Sequence, residues 1–286
     1  MKPATSNHGI LCILFPIAEF VKLFCILPDK IAHSPAGRMV FGTNRYILPP
    51  KFAIVSPARK VVFPMAKRIK LRDRQLPNYC RGEEIMNMVS HIVGGAFGIL
   101  ALILCVCKAT TARSMIGAAV YGVCMIALYA MSSIYHGMKP STGKKVLQVL
   151  DHCTIYFLIA GSYSVIALGS LYEVSPTLGI AVLAAQWSLT AVAVTLTAID
   201  LKKYQVFSMI CYIGLGWMVL LFLPQTYAAL TSTGFYWLLA GGIAYTVGAV
   251  LYGIGSKKPW IHSVFHIFVV LGSVLQFIAI YFFAII

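Results

Sequence analysis

Charge is scarce in this sequence. Lys, Arg, Asp and Glu supply only 11% of the 286 residues, against roughly a quarter in ordinary soluble domains. That shortage excludes a water-soluble globular domain as the class. Acidic residues are the scarcer sign: eight stand against 23 Lys and Arg, a formal net charge of +15. A basic excess can mark a nucleic-acid binder, but here the basic residues lie outside long apolar runs and form no nucleic-acid-binding motif, so no nucleic-acid partner is expected. No two of the eight cysteines form a C-x-x-C pair. Most lie inside apolar runs, where a free thiol behaves as a small hydrophobe, so neither a disulfide framework nor a cysteine-based zinc site is expected. The chain also lacks an internal repeat and any low-complexity tract, which removes the repeat architectures.

What is abundant is apolar residue, 59% of the chain. A bilayer core takes about 20 mostly apolar residues per helix. From residue 85 onward seven segments of that kind occur, at 86–107, 115–136, 152–172, 177–198, 206–223, 234–254 and 261–286. Breaker-bearing loops such as MKPSTGKK, EVSPT and GSKKPW separate them. The expected fold is all-α, a seven-transmembrane helix bundle. Lys67, Arg68, Lys70, Arg72, Arg74 and Arg81 precede the first segment. Lys139, Lys144 and Lys145 follow the second, Lys202 and Lys203 the fourth, and Lys257 and Lys258 the sixth, whereas the other side holds only Lys108 and Arg113. Because Lys and Arg collect at the cytoplasmic face, the N-terminus is expected to be cytoplasmic and the C-terminus on the far side.

Residues 1–77 stand apart from the seven-helix domain at 78–286. GILCILFPIAEFVKLFCIL, residues 9–27, is apolar but interrupted by Pro16, Glu19 and Lys22. As a span it would bury two charges, and as a signal peptide it lacks a clear small-residue cleavage site. It reads as a peripheral membrane-surface helix, or as sequence ahead of a later start at Met65. Residues 1–75 are expected to be poorly ordered.

Ionisable residues inside membrane spans point to function by default, and here they are few. The first span opens with Glu83, Glu84, Asn87 and His91, the second closes on SSIYH (132–136), the third opens near Asp151 and His152, and the seventh opens with HSVFH (262–266). The outer halves of the spans contain no charged residue and no histidine. In the seven-span topology all four clusters fall at similar depth, just inside the cytoplasmic interface. Residues four apart share a helix face, so Ser132 lies beside His136, and His262 beside His266. Paired histidines at that spacing bind a metal ion in other helical zinc sites. With His136 as a third nitrogen, three neutral imidazoles and an open position make a catalytic zinc arrangement. Asp151 is placed to orient or deprotonate a water there, and Ser132 to hydrogen-bond a ligand.

Each residue alone also has a plainer reading. An H-x-x-x-H pair on a membrane helix is more often structural than metallic, and His136 alone is an interfacial histidine. Asp151 alone is a helix cap. Glu83 and Glu84 are first-turn acids favoured by the helix dipole, and His91 bonds a neighbouring helix. His152 points about 100° from Asp151 on a helix and is left outside the site. Tyr135, Cys153 and Tyr156 read as packing. The convergence of four clusters at one depth is what favours a site.

GEEIMNMVSH, SSIYH, DHCTIY and HSVFH, in this order on these helices, resemble the hemolysin III family over residues 78–286. That family is the bacterial branch of the progestin and adipoQ receptors, within a superfamily that includes alkaline ceramidases. The resemblance implies a zinc ion on His136, His262 and His266, with Asp151 reaching it through water. It assigns a site role to Ser132, and matches the family's acidic residue and asparagine to Glu84 (or Glu83) and Asn87. It further implies a multi-pass protein of the bacterial inner membrane. In the animal receptors the site is associated with ceramide hydrolysis, so membrane lipids are the expected partners and a zinc-dependent lipid amidohydrolase the leading activity. The alternatives are a cytolysin or pore, which the apolar outer halves do not favour, and a receptor or sensor with a structural metal. A haem electron carrier is disfavoured because every histidine of the spans lies in one leaflet.

Overall fold

The computed structural model describes residues 71–255 and 258–286. The surface-helix reading of residues 9–27 and the start at Met65 lie outside the described residues. Among the described residues the fold is all-helical, with no strand.

A 3-10 turn at Leu71–Asp73 precedes the bundle, and Arg74 beside it donates to the carbonyl of Ile199 at 3.2 Å. The helices are α1 (Arg81–Lys108), α2 (Ala112–Gly137), α3 (Thr142–Leu168), the short α4 (Ser170–Val174), α5 (Pro176–Ile199), α6 (Gln205–Gly216), α7 (Leu223–Gly255) and α8 (Ile261–Ala279). Local chemistry sets several starts. Thr111 accepts from the Ser114 amide at 3.2 Å to cap α2, and Ser141 from the Lys144 amide at 3.1 Å to cap α3. Ser175 caps α5, with Pro176 at the first helical position, where its missing N–H costs nothing.

Six helical stretches among the described residues are long and apolar enough to cross a membrane, and one of them, Gln205–Gly255, runs to 51 residues. That stretch covers the fifth and sixth expected segments. It is interrupted by a 3-10 turn at Trp217–Phe222 and by Thr231, whose φ of 62° lies in the left-handed region. The expected loop LPQTYAALTSTG is therefore mostly helical, broken only around Thr231. The start of α3 also differs from expectation: it begins at Thr142, not near 152. The Ser141 cap starts a helix inside what reads as a loop, its hydroxyl taking the Lys144 amide.

Polarity is inverted relative to a soluble protein. Ile92, Val93, Ile99 and Ile103 on α1 are more than half exposed, while Asn87 and His91 on the same helix are buried. Gln186, Thr190 and Thr197 on α5 are likewise buried. An apolar exterior around a polar interior suits lipid as solvent, and the molecule is an integral membrane protein. Helices in lipid approach closely where residues are small. A Cβ on Gly117 of α2 would lie 2.8 Å from the Cα of Val165 of α3. In sequence, α1 packs on α2, α2 on α3, α3 on α5 and α7 on α8, and α8 returns to α1, so the bundle closes. That closure brings the C-terminal end of α2 to the N-terminal ends of α1 and α8.

Candidate metal centre

His136 lies in the last turn of α2, and His262 and His266 in the first two turns of α8. All three are buried, and one ring nitrogen from each lies within 4.8 Å of the others. The α8 pair meets at 3.0 Å between the two Nε2 atoms.

The docking of α8 has an identifiable cause. Trp260, just before α8, holds a left-handed φ of 65°, a strained conformation for a bulky residue. Its amide donates to Glu83 Oε1 at 2.6 Å, while Glu83 Oε2 accepts from the Cys80 amide at 2.9 Å. One buried carboxylate thus ties together the starts of α1 and α8 and sets His262 one residue past the first helical position of α8.

Glu84, on the next face, does something else. Its Oε2 lies 2.6 Å from His136 Nδ1, and its Oε1 accepts from Lys144 Nζ at 2.6 Å. A carboxylate only accepts, so His136 carries its proton on Nδ1 and leaves the Nε2 lone pair free. Nε2 is buried and has no hydrogen-bond partner. A carboxylate behind a histidine in this way is how metal-ligating imidazoles are oriented. Asn87 Nδ2 stands 3.5 Å from the same Nδ1. Since Nδ1 donates, two donors would face one another, so the better assignment turns the amide and presents Oδ1, otherwise unpartnered.

The donor set fits a metal ion. Two Nε2 atoms of neutral imidazoles at 3.0 Å repel unless a proton or a cation lies between them. Tetrahedral zinc with bonds of 2.0–2.1 Å separates its nitrogens by about 3.3 Å. The unpartnered Nε2 of His136 completes three nitrogens at one point.

Tyr79 stacks on His262, with ring centroids 4.7 Å apart and planes at 15°. Burial, with Tyr252 and the carboxylates of Glu84, Asp151 and Glu83 nearby, pushes its phenol above the usual range. A narrow, mainly apolar slot of about 160 Å³ leads away from the histidines. His91, Ser132 and Asp151 line it beside His262 and His266, and Leu158, Phe222 and Leu238 line its far part. Ser132 Oγ is buried without a partner, as are both ring nitrogens of His91.

Several expectations change on contact with the geometry. Asp151 does not cap its helix, because α3 begins at Thr142. His91 makes no hydrogen bond to a neighbouring helix; it stands 4.0 Å, centroid to centroid, from His266. Glu84, not Glu83, is the acid behind the histidines. His152, outside the site on angular grounds, lines the same slot as Asp151. His152 donates from Nδ1 to the Gln148 carbonyl at 2.8 Å and accepts from the Tyr252 hydroxyl at 2.9 Å. Tyr135, Cys153 and Tyr156 are buried, in keeping with packing. Sequence reasoning misses Lys144, which reads only as one of three basic residues after the second apolar segment, and Tyr79, which no motif marks.

The fold and the site define the class, a polytopic helical membrane protein with a buried three-histidine cluster at one end of its bundle. The chain belongs to the haemolysin-III related family, whose profile matches residues 80–277. It is 35% identical to hemolysin-3 of Bacillus cereus over 204 residues, covering 70% of this chain and 91% of the relative. It is 33% identical to the hemolysin-3 homolog of Bacillus subtilis (strain 168) over 206 residues, 71% of this chain and 95% of the relative. Human monocyte to macrophage differentiation factor is 27% identical over 174 residues, 57% of this chain and 68% of its own length. No solved structure matches the chain.

Proposed function

We propose that this protein is a zinc-dependent hydrolase of membrane lipids, cleaving an amide or ester bond. The observation that carries the reading is the unpartnered Nε2 of His136 converging with the His262–His266 pair at the head of an apolar slot that also holds Asp151 and Ser132. His136, His262 and His266 would hold the ion. When bound, zinc makes water a nucleophile near neutral pH and polarises a carbonyl.

The protein's own groups divide the remaining work. The slot receives an acyl chain and excludes bulk water, so that only the linkage stands among the histidines. Ser132 donates its hydroxyl hydrogen to the carbonyl oxygen. Asp151 takes the proton of the attacking water and returns it to the departing nitrogen or oxygen. A C–O bond forms, the C–N or C–O bond breaks, and a fatty acid and an amine or alcohol leave.

The membrane arrangement belongs to the same proposal. Tyr79, Gln148, Asp200, Lys202, Lys258 and His262 line one polar cavity, so the approach to α6 and the approach to α8 share one end of the bundle. Gln205–Gly255 therefore leaves from that end and returns to it, which needs an even number of crossings. Its 51 residues would extend roughly 75 Å as one helix against a core of about 30 Å, and Thr231 supplies a turn. Two crossings there make seven in all. The basic loops support a cytoplasmic site end, in a protein of a bacterial inner membrane.

The test is fatty-acid release from a panel of lipid amides and esters by detergent-purified protein. Release should need zinc, stop with chelator and be absent from His262→Ala/His266→Ala. Zinc-loaded protein that binds the ion yet cleaves nothing in the panel would leave a metal site and remove the hydrolase.

A further inference from the structure

Lys144 is the one lysine in the described residues that is almost wholly buried, at 3% exposed. Two residues past the start of α3, it has a short path to water for an extended side chain, the course that lysines near helix ends usually take. Instead the ammonium turns inward. It donates to Glu84 Oε1 at 2.6 Å and to the Met138 carbonyl at 2.9 Å, and lies 5.1 Å from the centre of the Tyr135 ring. Burying an ammonium is costly unless its protons are taken, and here a carboxylate and a carbonyl take two of them.

The contacts form a line through three helices, from Lys144 on α3 to Glu84 on α1 to His136 on α2. Glu84 uses one oxygen on each neighbour. Without the ammonium, nothing holds Oε1, and the carboxylate, already 21% exposed, is free to turn toward water. His136 Nδ1 would then lose its short 2.6 Å acceptor and keep only the 3.5 Å contact to Asn87, too long to hold the ring angle.

We infer that Lys144 is a positioning residue of the metal centre: it holds Glu84 against His136 Nδ1 and so keeps the His136 Nε2 lone pair aimed at His262 and His266. The inference rests on the reading of the three histidines as a metal site, and goes beyond it in assigning a control residue that touches none of them. The competing role is local: through Met138 the lysine satisfies a carbonyl at the end of α2, which would stabilise the fold without touching the site.

Zinc affinity separates the two, measured on detergent-purified full-length protein by competition with a chromophoric chelator. Lys144→Met should weaken zinc binding about 10–100-fold, the usual cost of losing a group that orients a metal-bound histidine. Lys144→Arg should recover most of that loss. Added to Glu84→Gln, Lys144→Met should cost nothing more, since both act through one carboxylate. Wild-type affinity in Lys144→Met, or full additivity with Glu84→Gln, overturns the role and leaves the histidine site standing. A folded wild type that takes up no zinc overturns the site and this role together. Should Lys144→Met fail to fold, the double variant Glu84→Gln/Lys144→Met buries neither charge and carries the comparison. Affinity equal to Glu84→Gln alone supports the role, and a further loss overturns it.

Discussion

Nε2 of His262 stands 3.0 Å from Nε2 of His266, one turn further along α8. The pair therefore presents two nitrogens to one point, and neither histidine can be replaced by the other. Zinc content by elemental analysis should be about one ion per chain in the wild type, the stoichiometry of a single three-histidine site. His136→Ala, His262→Ala and His266→Ala should each lose most of it after dialysis. Retention of a full ion by any of the three would remove that residue from the site.

Asp151 and Ser132 line the slot beside the histidines without belonging to the three-nitrogen cluster. Asp151→Asn and Ser132→Ala should accordingly keep their zinc while turnover falls. Loss of a proton-transfer group costs about 10²–10⁴-fold in rate, and loss of one donor to a developing oxyanion about 10²–10³-fold. Fatty-acid release at saturating lipid, read beside metal content, checks both. Zinc lost together with activity would place Asp151 among the ligands.

How much of this was legible beforehand follows from which signals are periodic. The three-histidine cluster is readable because helical spacing pairs His262 with His266 and the order of the motifs brings His136 to them; Asp151 and Ser132 line the adjoining slot. Lys144 is not readable, because a lysine after a Pro-Ser-Thr-Gly loop reads as a solvated charge, and only the Ser141 cap turns that loop into the first turn of α3. Glu83 and Glu84 are adjacent and chemically alike. Their division of labour depends on which face of α1 meets α8 and which meets α2, a packing fact with no local signature. The long apolar helices are legible from composition, whereas helix starts, the run of Gln205–Gly255 as one stretch and the break at Thr231 depend on side-chain capping and on a backbone angle that apolar content does not encode.

His91 is 3% exposed and neither ring nitrogen has a partner. It lies against His266 but outside the group of converging nitrogens. His91→Leu, close to it in size and without the polar atoms, should therefore fold and retain about one zinc per chain, as expected of a site with three histidine ligands. Loss of zinc in folded His91→Leu protein would make His91 a fourth ligand.

Gly117 tests the packing that places α2. Its missing Cβ would fall 2.8 Å from the Val165 Cα and 2.9 Å from the Ser164 carbonyl oxygen. Backbone atoms cannot yield as a flexible side chain does, so Gly117→Ala should push α2 from α3. The expected cost is about 1–3 kcal/mol, the usual penalty of overpacking, seen as a lower melting temperature in detergent. Gly95→Ala is the control, since its Cβ would meet only the Tyr129 Cβ at 3.6 Å, an ordinary contact. Equal melting temperatures for the two variants would show that α2 and α3 pack less closely than this.

The two-crossing reading of Gln205–Gly255 makes a prediction about sides. His136 lies in the last turn of α2 and His262 in the first turn of α8, and the two rings stand 5.5 Å apart, so the loop at 138–141 and residues 258–260 must lie on one side of the membrane. If α3 and α5 each cross once, residues 200–204 lie there too, and the 51-residue stretch must go out and come back. The turn belongs at Thr231, where the helix is broken. Alkaline phosphatase, which is active only outside the cytoplasm, should be inactive when fused after residue 203 or after residue 257, and active when fused after residue 231. Opposite results at 203 and 257 would mean a single crossing. His262 would then be carried to the face opposite His136, and no metal site could form from the two.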